Sequence, residues 1–469
     1  MSVNGPLGAT PQSGTFELRS RALEPRGGLR GGSSARVRLG QLGLVGVLAT
    51  GLVVSMAASN TDNLLPETVR PVPSWLAGPF GSAHLNLHVG GLIGVLILMF
   101  ASYALAVRAA DRLSARAVLM AIAAFNALML LAPPLLSTDV FSYQAYARMG
   151  QVYGISPYTH GPHAIALDPL YSFIGAKWVS IPSAYGPVFT ALSYLLTPLT
   201  IAASALAYKA IAALASLVTV ALVWNGARLR GVDPVKAAAL VGLNPLIVVY
   251  GVGGGHNDLL MLAALMAGIF AILQHRDRAG GGVMVLGAGI KLTALMFLPF
   301  AVASGGRLGA QKRRRDILIG AGTAGVLLAT LAFAAFGTGP LHLLGTLERT
   351  QGMGDWKSIP GFISTRLGLG TVGHAAGMGL AVIFAIVFAW LVRRVWRGEM
   401  DWIDGAGWTA VALLITASSL LPWYVAWLMP LAALGSDRRL WQASIVMTGV
   451  VLGIQCLGYI PHGSGLFGL

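Results

Sequence analysis

The run Ser137-Thr138-Asp139-Val140-Phe141-Ser142-Tyr143-Gln144-Ala145-Tyr146-Ala147-Arg148 follows directly on an apolar segment ending at Leu136. It opens the longest stretch between the predicted membrane spans. Asp139 sits where a spanning helix leaves the membrane, and an ionisable group at that boundary points towards function. If residues 140–148 are helical, Asp139, Tyr143 and Tyr146 share one face at i, i+4 and i+7. An acid, two phenols and Arg148 at a membrane surface suggest a site. The structural alternative is an acid in the first turn of a helix, held by unpaired backbone N–H groups and the dipole. The two readings are compatible.

Working outward, the chain has 469 residues, of which 55% are hydrophobic and only 10% charged. Soluble domains average about 25% charged. Apolar runs recur that are long enough to cross roughly 30 Å of hydrocarbon. Backbone satisfaction in lipid favours helices. The composition predicts an all-α, polytopic helical membrane protein. Cys456 is the single cysteine, which excludes an intrachain disulfide and a cysteine-based metal site. The net charge of +15 fits topology signals flanking the spans better than nucleic-acid binding.

Residues 1–39 are rich in Gly, Ser and Arg and read as a disordered cytoplasmic tail. The first apolar run starts too far in for an ordinary cleaved signal peptide. Residues 40–469 are expected to form a single transmembrane domain. Outward spans are expected near 40–58, 117–136, 236–254, 316–336, 404–420 and 439–459, and inward spans near 88–107, 205–227, 258–274, 376–396 and 423–435. Two apolar segments break this parity as single crossings. Residues 187–203 are expected to lie along or dip into the external leaflet. Residues 280–304 are expected to form two short helices turning back near Lys291. The sum is about 13 crossings, with external loops at 137–204 and 337–375 and an external C-terminus. This topology places 24 of the 32 Lys and Arg residues inside, and eight of nine histidines at or near the external face. No internal repeat of the inverted-transporter kind is evident.

The external carboxylates are Asp62, Glu67, Asp139, Asp168, Asp258, Glu348 and Asp355. Asp168, Glu348 and Asp355 fall within long loops and read as solvated. Gly253-Gly254-Gly255-His256-Asn257-Asp258 opens a helix, and its glycines permit close approach of a ligand to the backbone. The alternative is a turn with Asn257 or Asp258 as helix cap. Lys291 stands between Ile290 and Leu292 with no charged neighbour in sequence, so it needs an anion or a path to the surface. Arg366 and Lys357 are weaker candidates for the same anion. Trp356, Trp423 and Tyr424 read first as interfacial aromatic belt and second as sugar-stacking residues. His160 and His163 lack partners at metal-ligand spacing, and no external Asp-x-Asp exists, so neither a metal nor a cofactor is expected.

Several ordered motifs over roughly residues 117–435 together resemble one family. They are Ser137-Thr138-Asp139-Val140-Phe141-Ser142-Tyr143, Ser156-Pro157-Tyr158 with Gly161-Pro162, and Tyr185-Gly186-Pro187-Val188-Phe189. Asn244-Pro245-Leu246, Gly255-His256-Asn257-Asp258 and Pro422-Trp423-Tyr424 complete the set. The chain resembles the polyprenol-phosphomannose-dependent alpha-1,6-mannopyranosyltransferases of actinobacteria, within the GT-C class. The resemblance implies a GT-C-like fold and an external active site fed by a polyprenyl-phosphate mannose donor. It implies a mannan or phosphatidylinositol-mannoside-type acceptor, as in lipomannan elongation. It also implies a catalytic aspartate in the first large external loop, to which Asp139 corresponds. Tyr143, Arg148, Tyr185, His256, Asn257, Asp258, Lys291, Arg366, Trp423 and Tyr424 are the candidate substrate-binding residues. Two other classes stay open: a lipid-linked sugar flippase or other transporter, and a non-catalytic subunit of a cell-envelope complex.

Overall fold

A computed structural model describes residues 1, 30–304, 310–352 and 355–460. Most of the predicted tail, residues 2–29, lies outside the described residues. The first helix, α1 (Arg30–Ala57), begins well before the expected start at residue 40. No strand occurs among the described residues. After α1 come α2 (His88–Arg108) and α3 (Ala115–Leu131). The stretch predicted to be external then carries α4 (Asp139–Gln151) and the nine-residue α5 (Pro187–Leu195), which starts on Pro187 where a missing N–H costs nothing. α5 is separate from α6 (Ile201–Arg230), so residues 187–203 are not one straight crossing.

The second half continues with α7 (Pro234–Gly242), α8 (Asp258–Leu273), α9 (Asp277–Ile290), α10 (Leu298–Ala303) and α11 (Ala310–Phe336). The predicted loop 337–375 holds α12 (Leu343–Gly352) and the single turn α13 (Ile359–Gly361). α14 (Gly370–Trp396), α15 (Trp402–Thr416), α16 (Met429–Leu434) and α17 (Arg438–Gly458) complete the chain.

Among the described residues, six helices are long and apolar enough to cross a membrane, or seven if α7 and residues 246–252, bent by 45°, count as one span. The shorter apolar helices, α3, α8 and α15 among them, fall below spanning length taken singly. The chain is thus an all-helical protein of membrane character. Its long helices pack in neighbouring pairs, α1 on α2, α6 on α8, α8 on α9 and α9 on α11. One buried apolar cluster runs from Leu44 in α1 to Cys456 in α17. α14 is the exception: most of it faces outward, with only 6% of its apolar window buried.

The backbone breaks have local causes. Pro245 lacks an N–H, and Asn244 Oδ1 accepts from Leu246 N at 2.9 Å, restarting the chain as a π-helix over Leu246–Val252. At Lys291 the backbone turns extended, with φ −147° and ψ 122°, which ends α9. Before Pro422 the chain is also extended, and residues 422–427 then run as a 3₁₀ turn. Irregular backbone within a membrane-spanning region is tolerated where protein or a cavity covers it. The breaks at Lys291 and before Pro422 border the same cavity.

Candidate active site

Asp139 is placed by two loops that interlock. Leu135 N donates to Gly253 O at 2.9 Å, fastening the turn before α4 to the glycine run before α8. Gly255 has φ +66°, and a side chain there would meet Val140 Cγ1 at 2.5 Å. Only glycine suits both the left-handed backbone and that approach. Asp139 opens α4, and its N–H donates to Ser137 Oγ at 3.1 Å. The helix-terminus reading of Asp139 therefore holds, and it coexists with a site.

His256 Nδ1 lies 3.2 Å from Asp139 Oδ2, off the line of an ideal hydrogen bond. The imidazole is fully buried and stacks on Trp423, with ring centres 3.5 Å apart. Tyr143 OH sits 3.4 Å from Asp139 Oδ2 and 3.5 Å from Asn257 Oδ1, and accepts from Asn257 N at 3.3 Å. Tyr185 meets Tyr143 edge to face at 4.9 Å. Burial pushes the Asp139 carboxyl up, but the His256 contact and the Lys291 charge hold it below the usual carboxylate range. It is ionised at neutral pH. Burial and the Asp139 charge push the Tyr143 phenol well up, so it stays protonated.

Asp258 opens α8 and is buried. It accepts from Lys291 Nζ on both oxygens, at 2.7 and 2.8 Å, and from Trp427 Nε1 at 3.0 Å. The Lys291 ammonium also lies 5.0 Å from the Tyr424 ring centre, a cation–π contact. The anion that Lys291 lacks in sequence is thus supplied by Asp258 from another helix. The two carboxylates do not share a site, since Asp139 has His256 and Asp258 has Lys291.

Asp139, Lys291, Tyr146, Tyr185, Trp423 and Tyr424 line one cavity of about 540 Å³. That volume suits a sugar-sized ligand. The opposite wall is apolar: Ala381 and Phe384 of α14, and Leu413 and Leu414 of α15. α5 is locked to the Lys291 break, because Gly186 N donates to Ile290 O at 3.0 Å. A side chain at Gly186 would come within 2.1 Å of Gly289 O, which explains glycine in the Tyr185-Gly186-Pro187 motif.

Three expectations are corrected. Arg148 does not reach the cavity: it is drawn away to Asp168, with Nε and a terminal nitrogen each 2.7 Å from Oδ2. Asp168 is buried rather than solvated, because Arg148, Tyr153 OH at 2.7 Å and the Leu170 N–H all bind it. Burial pushes its carboxyl up, but these donors hold it below the usual range. Trp423 is buried against His256 rather than placed in a lipid-facing belt. The Arg366 side chain lies outside what the structure describes; its backbone ends a π-helical turn over Phe362–Arg366.

The sequence reading missed Trp427 and Lys209. The Trp423–Trp427 spacing was a usable signal. Lys209 had none, being one cation inside an apolar helix. Its buried ammonium donates to Ala132 O and to Pro133 O, the latter at 3.1 Å, just before the Asp139 turn. Among the described residues no group of three or more His, Cys, Asp or Glu gathers as a metal site.

A sequence model described as alpha-(1->6)-mannopyranosyltransferase, N-terminal domain, matches residues 37–305, and one described as MptB C-terminal domain matches residues 358–468. The chain is 27% identical to alpha-(1->6)-mannopyranosyltransferase A of Mycobacterium tuberculosis, over 97% of this chain and 90% of the relative. It is 29% identical to a probable alpha-(1->6)-mannopyranosyltransferase of Mycolicibacterium smegmatis, over 69% of this chain and 66% of that one. With alpha-(1->6)-mannopyranosyltransferase B of Corynebacterium glutamicum the identity is 28%, over 73% and 62%. No solved structure matches the chain. The family match covers more than half of the sequence, including every residue from Asp139 to Lys291 just described, and the chain belongs to the alpha-(1->6)-mannopyranosyltransferase family of membrane glycosyltransferases.

Proposed function

We propose that the cavity transfers mannose from polyprenyl-phosphate mannose to a hydroxyl of a mannan or mannolipid acceptor, forming an alpha-1,6 linkage on the external face of the membrane. The observation that carries this reading is the shared cavity: an ionised carboxylate and an ammonium at its polar end, and the largely unburied α14 along its apolar wall. A lipid-phosphate sugar has the same division. Its chain would lie against α14 and α15 while its sugar and phosphate enter the polar end.

In the proposed step, Asp139 accepts the proton of the acceptor hydroxyl as that oxygen attacks the anomeric carbon. The bond from the anomeric carbon to the phosphate oxygen breaks, and its electron pair leaves with the phosphate. Lys291, steadied by Asp258, offsets the charge that grows there. A phosphate leaving group needs little general acid. A beta-linked donor would give the alpha product by single displacement with inversion. The depressed basicity of Asp139 makes it a weak base, so proton transfer accompanies bond formation rather than preceding it. His256 and Tyr143 fix the carboxylate, and Trp423 backs the imidazole.

The test is Asp139→Asn in purified protein, assayed with labelled polyprenyl-phosphate mannose and a mannoside acceptor. Loss of a general base lowers turnover by about 10²–10⁴-fold. Donor binding, measured separately, is expected to persist. Full turnover in Asp139→Asn disproves the assignment.

A further inference from the structure

The proposed transfer step makes no use of Lys209. This lysine sits inside α6, an apolar helix of spanning length, and is 2% exposed. Its ammonium is held by two backbone carbonyls, Ala132 O and Pro133 O, the latter at 3.1 Å, and by no carboxylate among the described residues. Stability alone is a weak reason for such a charge, since an apolar residue of similar volume often serves a buried position as well. The place where its donors end is more informative.

The two carbonyls begin the turn that delivers Asp139. α3 ends at Leu131, and Pro133 and Pro134 carry no N–H, so the bend has few backbone donors of its own. Two more bonds fasten it: Leu135 N donates to Gly253 O and Leu136 N donates to Leu64 O, each at 2.9 Å. Leu136 has φ +62°, a left-handed backbone that leucine adopts only where its surroundings impose it. Leu136, Ser137, Thr138 and Asp139 then follow one another along the cavity wall. A strained bend held by outside partners sets where the carboxylate points, and relaxing it moves the acid.

The Lys209 stem borders the other half of the site. A side chain at Gly255 would meet Lys209 Cγ at 3.2 Å as well as Val140 Cγ1. Gly255 precedes His256, whose Nδ1 lies 3.2 Å from Asp139 Oδ2. The adjacent Tyr208 ring packs against Tyr143, with centres 5.3 Å apart. One turn of α6 therefore meets the Asp139 turn, the His256 loop and the phenol beside the carboxylate.

We propose that Lys209 is a positioning residue: it pins the Ala132–Pro133 end of the turn beside the His256 loop and so fixes the Asp139 carboxylate for reaction. This rests on Asp139 as the base in the reading above. Lys209 itself does not line the cavity and acts without touching substrate.

The test is Lys209→Met, which keeps most of the volume and removes the charge and the donors. In the purified full chain with labelled polyprenyl-phosphate mannose and a mannoside acceptor, kcat is expected to fall about tenfold or more, with donor KM within about twofold, because a misplaced reacting group is what is lost. The deciding readout is the cycle with Asp139→Asn. If Lys209 acts through Asp139, Lys209→Met lowers the residual turnover of Asp139→Asn by less than about threefold. Wild-type kcat in folded Lys209→Met, or equal fold losses in the two backgrounds, overturns the proposal. If Lys209→Met does not fold, Lys209→Gln takes its place: its amide is shorter but keeps a donor, and it is expected to lower kcat about threefold or more in the native background and not in Asp139→Asn. Impaired Asp139→Asn beside unimpaired Lys209→Met removes this inference alone, whereas full turnover in Asp139→Asn removes the base assignment and this inference with it.

Discussion

Lys291→Met removes one charge and little volume from the pair that anchors the polar end of the cavity. In the native protein the ammonium reaches both oxygens of Asp258 at 2.7 and 2.8 Å, and the two side chains are only 14% and 1% exposed. Removing one partner of such a pair leaves a buried charge uncompensated, which costs about 3–5 kcal/mol. Asp258→Asn strands the ammonium instead and is expected to cost a similar amount, softened by the nearby Tyr424 ring. The double variant Asp258→Asn/Lys291→Met leaves no buried charge, and Trp427 Nε1 can still donate to the Asn oxygen. It is expected to cost far less than the two singles combined, with a coupling energy of at least ~2 kcal/mol. Equilibrium unfolding of the four proteins in mixed micelles measures this cycle. Single-variant losses that add to within about 0.5 kcal/mol would refute the pairing. The same variants carry a kinetic expectation. Asp258 acts through Lys291, so Asp258→Asn should raise the donor KM in the same direction as Lys291→Met.

Four further outcomes are expected. Arg148→Met should lower thermal stability and leave the donor KM within about twofold, because Arg148 holds Asp168 and does not line the cavity. Asp168 has a depressed native pKa, so its stabilising contribution is present above the unfolded carboxylate value of about 3.9 and is lost as pH falls through the native one; acid melting curves of wild type and Arg148→Met should converge there. Gly186→Ala puts a methyl against Gly289 O, and overpacking of this kind costs about 1–3 kcal/mol, read as a lower melting temperature together with reduced turnover. In a Cys456-free background, a thiol placed at Ser172 should be labelled from outside the cell and one at Ser34 spared; the opposite pattern reverses the proposed sidedness.

Composition alone decided that this chain is helical and of membrane character, because no soluble core needs so little charge. Chain order and local chemistry also showed where helices must stop. Asn244-Pro245 and Pro187 announce breaks through a missing N–H, and a charged residue between Ile290 and Leu292 signals a chain that leaves its helix. Asp139 was visible because a carboxylate at a helix start on a membrane boundary is conspicuous. What sequence could not decide was partnership. Lys291 looked unpaired because Asp258 stands 33 residues away and Trp427 is 169 residues from Asp258. Arg148 looked like a site residue because it follows the acid and the two phenols at a membrane surface, and nothing local shows that it turns to Asp168. Asp168 looked solvated because nothing local shows that Arg148 and Tyr153 fold over it. Trp423 looked lipid-facing until His256 was found stacked upon it. In each case the deciding energy is the pairing of a desolvated polar group. Such pairing depends on which helix ends meet in space, so only the tertiary structure fixes it.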